Sequence, residues 1–239
     1  MNEPSQYLEG PKEFVDLCYA YSSTLVYIYT LRDSYESLRS HVEKVDLIYY
    51  RYGGWSDLDT IQISGLYISY LELFVGLRWC LRTLFLGNSR KNEKSSFDQA
   101  IQQEFRKNEE SLPIVDKIFW ELRNEIHHSH LSFLQPSEWS IGGGGRKELE
   151  RVAGLFLPYM PDSIRKSKEA EMKAREFYQK NSASGMNEVR FIDALNEHYG
   201  ALLKFHDSAL EIIRKYSEKK FDRPIQARLQ NFAALITKE

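Results

Sequence analysis

The chain has 239 residues, 42% of them hydrophobic and 28% charged, enough to bury a substantial core as one larger domain or as a domain with an appendage. Its 32 Lys and Arg against 34 Asp and Glu leave a formal net charge of −2, which excludes a whole-molecule field attracting nucleic acid, so any RNA contact must come from a local basic surface. Cys18 and Cys80 cannot build a disulfide framework or a zinc cluster, and both sit inside apolar helical patterns, so they read as core thiols.

The polar opening MNEPSQYLEG has no basic segment followed by an apolar one, and no apolar run reaches bilayer-spanning length. A cytoplasmic protein without a membrane partner is expected. No proline lies between Pro11 and Pro113, and that stretch is dominated by helical spacing. Phe14, Leu17, Tyr21, Leu25, Ile28, Leu31, Tyr35, Leu38, Val42, Val45 and Tyr49 recur every three or four residues, a long amphipathic stripe ended by Gly53 and Gly54. Ser56 or Asp57 can cap a second helix, roughly 57 to 87. Its apolar content is the highest in the chain, so it should lie centrally, with Gly87-Asn88 closing it.

After the polar SRKNEKSS comes a shorter helix near 97 to 109, and Ser111 and Pro113 signal the start of another, running to about 134, where Pro136 stops it. The GGGG at 142 to 145 is followed by no Lys-Ser/Thr, so it reads as a mobile connection rather than a phosphate cradle. A charged helix is expected over about 162 to 181, a break at SASG, a long helix over about 187 to 220, and a last one opening at Arg223-Pro224. Internal repeats and alternating strand patterns are not evident. The expected fold class is all-α, a long-helix up-and-down bundle with a core over 11–135, a flexible loop over 136–146 and C-terminal helices over 147–239 packing on the core.

Three of the six histidines crowd into IHHSHLS, residues 126 to 132. With Val115 set at zero on a helical wheel, Val115, Phe119, Leu122, Ile126 and Phe133 fall within about 40° of that origin, with Ile118 just to the other side. The histidines lie off it. Trp120, Asn124, His127 and Leu131 fall about 120° to 180° away, Arg123 near 80° and His128 near 220°. A Trp and a Leu opposite the core stripe imply that this second face is also buried, against another segment or a second subunit, with Arg123, Asn124, His127 and His128 at the seam.

Metal ligation is disfavoured by spacing. Glu125 and His128 form Glu-x-x-His, but a di-iron bundle needs two such motifs, and no other histidine has Glu three residues before it. A zinc site would need two of His127, His128 and His130 to converge, whereas neighbouring positions diverge by about 100°. Neither a metal nor a cofactor is expected. Acid-base chemistry needs less: a histidine titrating near neutrality and an arginine fork for phosphate suffice to cut RNA. The alternative is a surface arginine and a histidine bonded to Glu121, Glu125 or a backbone carbonyl.

The run Arg123-Asn124-Glu125-Ile126-His127-His128, read as Arg-Asn-x-x-x-His near the end of an amphipathic helix, resembles the motif of the HEPN superfamily. The resemblance implies an all-α bundle in which this motif forms a metal-independent ribonuclease site where two subunits meet. It further implies His128 as general base or acid, Arg123 as phosphate and transition-state binder and Asn124 as positioner. Four intervening residues select His128, while six select His130; His127, His130 and Glu125 are candidates to assist. The implied partners are RNA, a second copy of the chain and a regulatory protein that masks the site. The rival within the same family is a non-catalytic module, a scaffold or nucleotide-binding protein. Two other motifs carry less: LIYYRYGGWSD, with Tyr49, Tyr50, Arg51, Tyr52 and Trp55, reads as helix-end packing before base stacking, and IRKSKEAEMKAREFYQK reads as a solvated face. His41, His198 and His206 read as surface or satisfied structural residues.

Overall fold

The long apolar periodicities become long helices. Among the described residues the order is α1 (Lys12–Tyr52), α2 (Asp57–Leu86), α3 (Gln99–Glu110), α4 (Ile114–Ser129), β1 (Gln135–Ile141), β2 (Glu150–Leu157), α5 (Asp162–Arg165), α6 (Lys168–Asn181), β3 (Val189–Arg190) and α7 (Phe191–Lys220). The computed structural model describes residues 11–52, 57–87, 95, 97–129, 135–141, 150–157, 161–182, 189–222 and 227. The architecture is all-α with one small sheet. No helix of the described residues is long and apolar enough to cross a membrane.

Helix ends follow local chemistry. Asp98 caps α3 by accepting from the Ile101 amide at 3.0 Å, and Ser167 caps α6 through the Ala170 amide. Gly87 sits at φ 78° and its amide returns to the Thr83 carbonyl at 2.9 Å, the left-handed stop that a residue without Cβ adopts freely. The expected charged helix is interrupted: α5 ends at Arg165 and α6 begins at Lys168 because the Ser167 side chain starts a new helix.

The chain divides into two compact units. The first comprises residues up to Leu31, Leu73–Leu112 and Leu202 onward; the second comprises Arg32–Glu72 and Pro113–Ala201. Helices α1, α2 and α7 contribute residues to both. In the first unit Phe85 stacks on Phe105 at 4.4 Å and on Phe97 at 4.8 Å, and Phe97 meets Tyr216 at 4.6 Å, so α2, α3 and α7 share one aromatic core. Cys18 is buried there with its thiol pushed up to about 11, and the half-buried Cys80 thiol is also raised. Both are suppressed as thiolates near neutrality, as core thiols should be.

In the second unit Tyr67 packs edge-on against Phe119 and Phe191, and Tyr35 stacks on Tyr199 at 3.9 Å. The sheet belongs to this unit. Strand order is β1-β2-β3, all antiparallel, with Gln135 opposite Phe156, Ile141 opposite Glu150 and Leu157 opposite Val189. Strand β1 occupies positions read from sequence as helix stop and loop. Alternation could not reveal β2, because Leu155, Phe156 and Leu157 are all buried; a strand covered on both faces shows a continuous apolar run instead of a period of two. The Gly-rich stretch 142–145, Trp55 and, apart from the helical Ala227, the last expected helix from Arg223-Pro224 lie outside the described residues, as do the side chains of Tyr49, Tyr50, Arg51 and Tyr52.

Two helical glycines provide a matched test of packing in α2. A Cβ at Gly76 would lie 2.6 Å from the Tyr27 ring, whereas one at Gly65 would meet nothing within 4 Å. Gly65→Ala is expected to stabilise by up to about 1 kcal/mol through helix propensity, and Gly76→Ala to come out about 1–3 kcal/mol less stable than that gain predicts, because the ring must shift. Urea denaturation of the two variants side by side reads the difference; equal effects would remove the close approach.

Candidate functional site

Helix α4 carries the predicted site; of its expected apolar stripe Val115, Phe119 and Leu122 are buried, as is Ile118 beside them, while the Ile126 side chain and Phe133 lie outside the described residues. On one flank of that stripe, Arg123 points at α2. Its Nε donates to Glu72 Oε1 at 3.0 Å and its Nη2 to Glu72 Oε2 at 3.1 Å, a two-pronged pair, while Nη1 reaches Asn124 Oδ1 at 3.5 Å. The Arg123 and Glu72 side chains are 27% and 42% exposed. Solvent screening at that exposure holds the pair's contribution to less than about 1 kcal/mol, but its geometry fixes where the guanidinium plane lies.

On the other flank, α4 packs against α5 and α6 of its own chain. Glu125 lies near enough to Tyr178 of α6 to add, behind burial, to the upward shift of that phenol, and Lys117 contributes to holding Glu169 below the usual carboxylate range, behind the hydrogen bond from Lys173. Trp120, Glu121, Asn124 and Glu125 are half-buried. Part of the second face of α4 therefore takes its cover from within the chain. His127 and His128 belong to α4 by backbone, but their side chains lie outside the described residues, as do Leu131 and His130 entirely. The structure thus brings Arg123 and Asn124 together and adds Glu72, which the sequence reading had not singled out. Among the described residues no group of three His, Cys, Asp or Glu side chains converges as metal ligands.

A buried polar cluster lies on the Arg123 flank of the same helix. His198 of α7 is fully buried; its Nδ1 is 2.9 Å from the Tyr70 hydroxyl of α2 and its Nε2 is 3.4 Å from Asp116 Oδ1 of α4. The Tyr70 hydroxyl bonds Nδ1, while Nε2 and Asp116 Oδ1 stand at ion-pair distance without a hydrogen bond between them. Phe119 stacks on the imidazole at 4.3 Å. Burial drives the Tyr70 phenol well above its ordinary range, and the Asp116 charge adds to that, so Tyr70 stays a donor. The sequence carried a signal for this. Phe191, Leu195, His198, Leu202 and Phe205 follow one helical stripe, and a polar residue on such a stripe is expected to be buried with partners.

Of the remaining described histidines, His41 bonds Gln62 Oε1 at 2.7 Å near the surface, as expected. His206 departs from the expectation of a satisfied residue: it is buried, and its Nε2 meets no hydrogen-bond partner among the described residues. Desolvation lowers the His206 pKa, partly offset by Asp207 at 3.7 Å.

No known protein family, curated protein or solved structure matches this chain. Fold and site define a class alone: an all-α protein with a half-exposed arginine fork held by a carboxylate beside a buried Tyr-His-Asp cluster.

Two measurements check this account. Tyr70→Phe removes the donor to His198 while keeping the ring, and a loss of about 1–3 kcal/mol is expected in urea denaturation. The second concerns His206. Its folded pKa lies below the ordinary 6.5, so the unfolded chain takes up a proton first as pH drops. The stability tied to this group is complete above about 6.5 and is lost as pH falls toward the folded value. His206→Gln should therefore narrow the gap between denaturation midpoints at mildly acidic and neutral pH, and an unchanged gap would contradict the assignment.

Proposed function

We propose that this chain is a HEPN-like, metal-independent endoribonuclease that cuts RNA by attack of the 2′-hydroxyl at a site shared between two copies of the chain. The observation that carries the reading is the placement of Arg123 and Asn124 side by side, half-exposed, one turn before His128 on the same helix. In the reaction His128, as base, takes the 2′-hydroxyl proton; the oxygen attacks phosphorus, and the 5′-oxygen leaves with a proton from a second acid. The products are a 2′,3′-cyclic phosphate and a 5′-hydroxyl. Arg123 steadies the charge that builds on the non-bridging oxygens, and Asn124 orients the phosphate. His127, His130 and Glu125 stand close enough in sequence to assist.

Arg123 and His128 point about 140° apart on an ideal helix. Two copies related by a twofold axis solve this by facing the arginine of one protomer with the histidine of its partner. Glu72 occupies the fork that a phosphate would use, so substrate must exchange with the carboxylate. The same contact favours a second reading, a non-catalytic HEPN-like scaffold in which Arg123 is a structural tie. A regulatory protein that covers the site fits either reading.

Incubation of the purified chain with structured and unstructured RNA in excess EDTA separates them. Cutting that survives the chelator should fall at least about 100-fold in both His128→Ala and Arg123→Ala. Glu72→Gln, which leaves the fork uncompensated, should tighten RNA binding. Absence of cutting of any RNA favours the scaffold, activity that requires added metal overturns the mechanism, and a strict monomer in solution overturns the shared site.

A further inference from the structure

We propose that the outer face of α2 in the second unit, formed by Ile61, Gly65, Ile68 and Glu72, docks on a second copy of the chain. The identity of the occupant rests on the shared site proposed above; the bareness of the face does not. No charged residue lies between Asp59 and Glu72, and a helix apolar on nearly every side is ordinarily covered on every side. The inner half of α2 is covered: Ile63, Tyr67, Tyr70 and Phe74 are buried, and they fall about 180° to 240° from Ile61 on a helical wheel. The outer half is not. Ile61 is 68% exposed and Ile68 40%, Gly65 between them is exposed, and a Cβ there would meet nothing within 4 Å among the described residues. One exposed isoleucine is ordinary. Here two of them and a stretch of bare backbone share an arc of about 60° with Glu72, and the flanking Gln62 and Ser69 are uncharged.

Glu72 joins this face to the site. It receives both prongs of the Arg123 guanidinium, so the end of the face and the arginine share one patch of surface. A stable dimer buries about 800 Å² per partner, which as a disc has a radius of roughly 16 Å. Drawn around Glu72 at about 1.5 Å per residue of helix, that disc takes in Ile68 at about 6 Å and Gly65 at about 10 Å, and reaches Ile61 at its rim. A copy that brings its His128 to Arg123 therefore covers the face as well. Charge also permits self-contact. A twofold axis sets residues of one patch against the same patch, where repeated charges would repel; Glu72 is the single charged member of this one, and Arg123 answers it.

Sedimentation equilibrium of the full chain over a range of concentrations tests it, and the parent is expected to be a dimer. Each change enters twice across a twofold axis. Ile68→Glu, near the centre, is expected to raise the dimer dissociation constant at least about 100-fold, Ile61→Glu at the rim about tenfold or less, and Ile68→Leu to change it little. Both isoleucines are exposed, so the far-ultraviolet dichroism of each variant should match the parent; should the carboxylate at 68 disturb α2, the uncharged Ile68→Gln gives the same reading at about tenfold. A dimer indifferent to Ile68→Glu and Ile68→Gln sinks this inference and leaves the shared site to another surface. A larger effect of Ile61→Glu than of Ile68→Glu moves the contact away from Arg123 and overturns it too. A monomeric parent overturns both this inference and the shared site. A dimer that Ile68→Glu splits but that cuts no RNA in EDTA keeps the α2 surface and removes the ribonuclease.

Discussion

His198 sits without solvent contact between a phenol from α2 and a carboxylate from α4, and the imidazole itself belongs to α7. Each of those groups loses water on burial, a cost of several kcal/mol for a charge left alone. The segments of α2, α4 and α7 in the second unit must therefore meet in the register that brings Tyr70, His198 and Asp116 together. Hydrophobic contacts around them, such as Phe119 on the imidazole, tolerate small slips more readily than the Tyr70–His198 hydrogen bond does. The candidate site inherits that register. Glu72 lies two residues beyond Tyr70 on α2, and Arg123 lies seven beyond Asp116 on α4, two helical turns along the same side.

Two arginine arrangements in the molecule differ in geometry. Arg123 meets Glu72 with both prongs, which orients the fork. Around Glu109 the guanidiniums of Arg78 and Arg82 reach a single oxygen, the first mostly buried and the second half-exposed. A chain with a formal net charge of −2 can reach an anionic partner only through a local basic surface, since the overall field offers no help.

The cover on α4 also changes how its second face is understood. From the sequence, Trp120 and Leu131 opposite the core stripe implied a neighbour, either another segment or a second subunit. Helix α6 supplies part of it through Tyr178 beside Glu125 and Glu169 beside Lys117. Burial of that flank is thus a property of the single chain, and the argument for a twofold partner stands on the divergence of Arg123 and His128 around the helix.

The sequence by itself determined the long helices, the start of the apolar stripe of α4 and the burial of Cys18, because a 3.6-residue period and the stop at Gly87 are read within a few positions of the residue concerned. It also placed Arg123, Asn124 and His128 on one helix. Only the tertiary structure decided that Glu72 takes the Arg123 fork and that Tyr70 meets His198, since these partners are separated by 51 and 128 positions along the chain. Nothing local distinguishes Glu72 from other polar residues on α2. Strand β2 was hidden for the opposite reason: with Leu155, Phe156 and Leu157 all buried, its neighbours on both faces erased the alternation by which a strand announces itself.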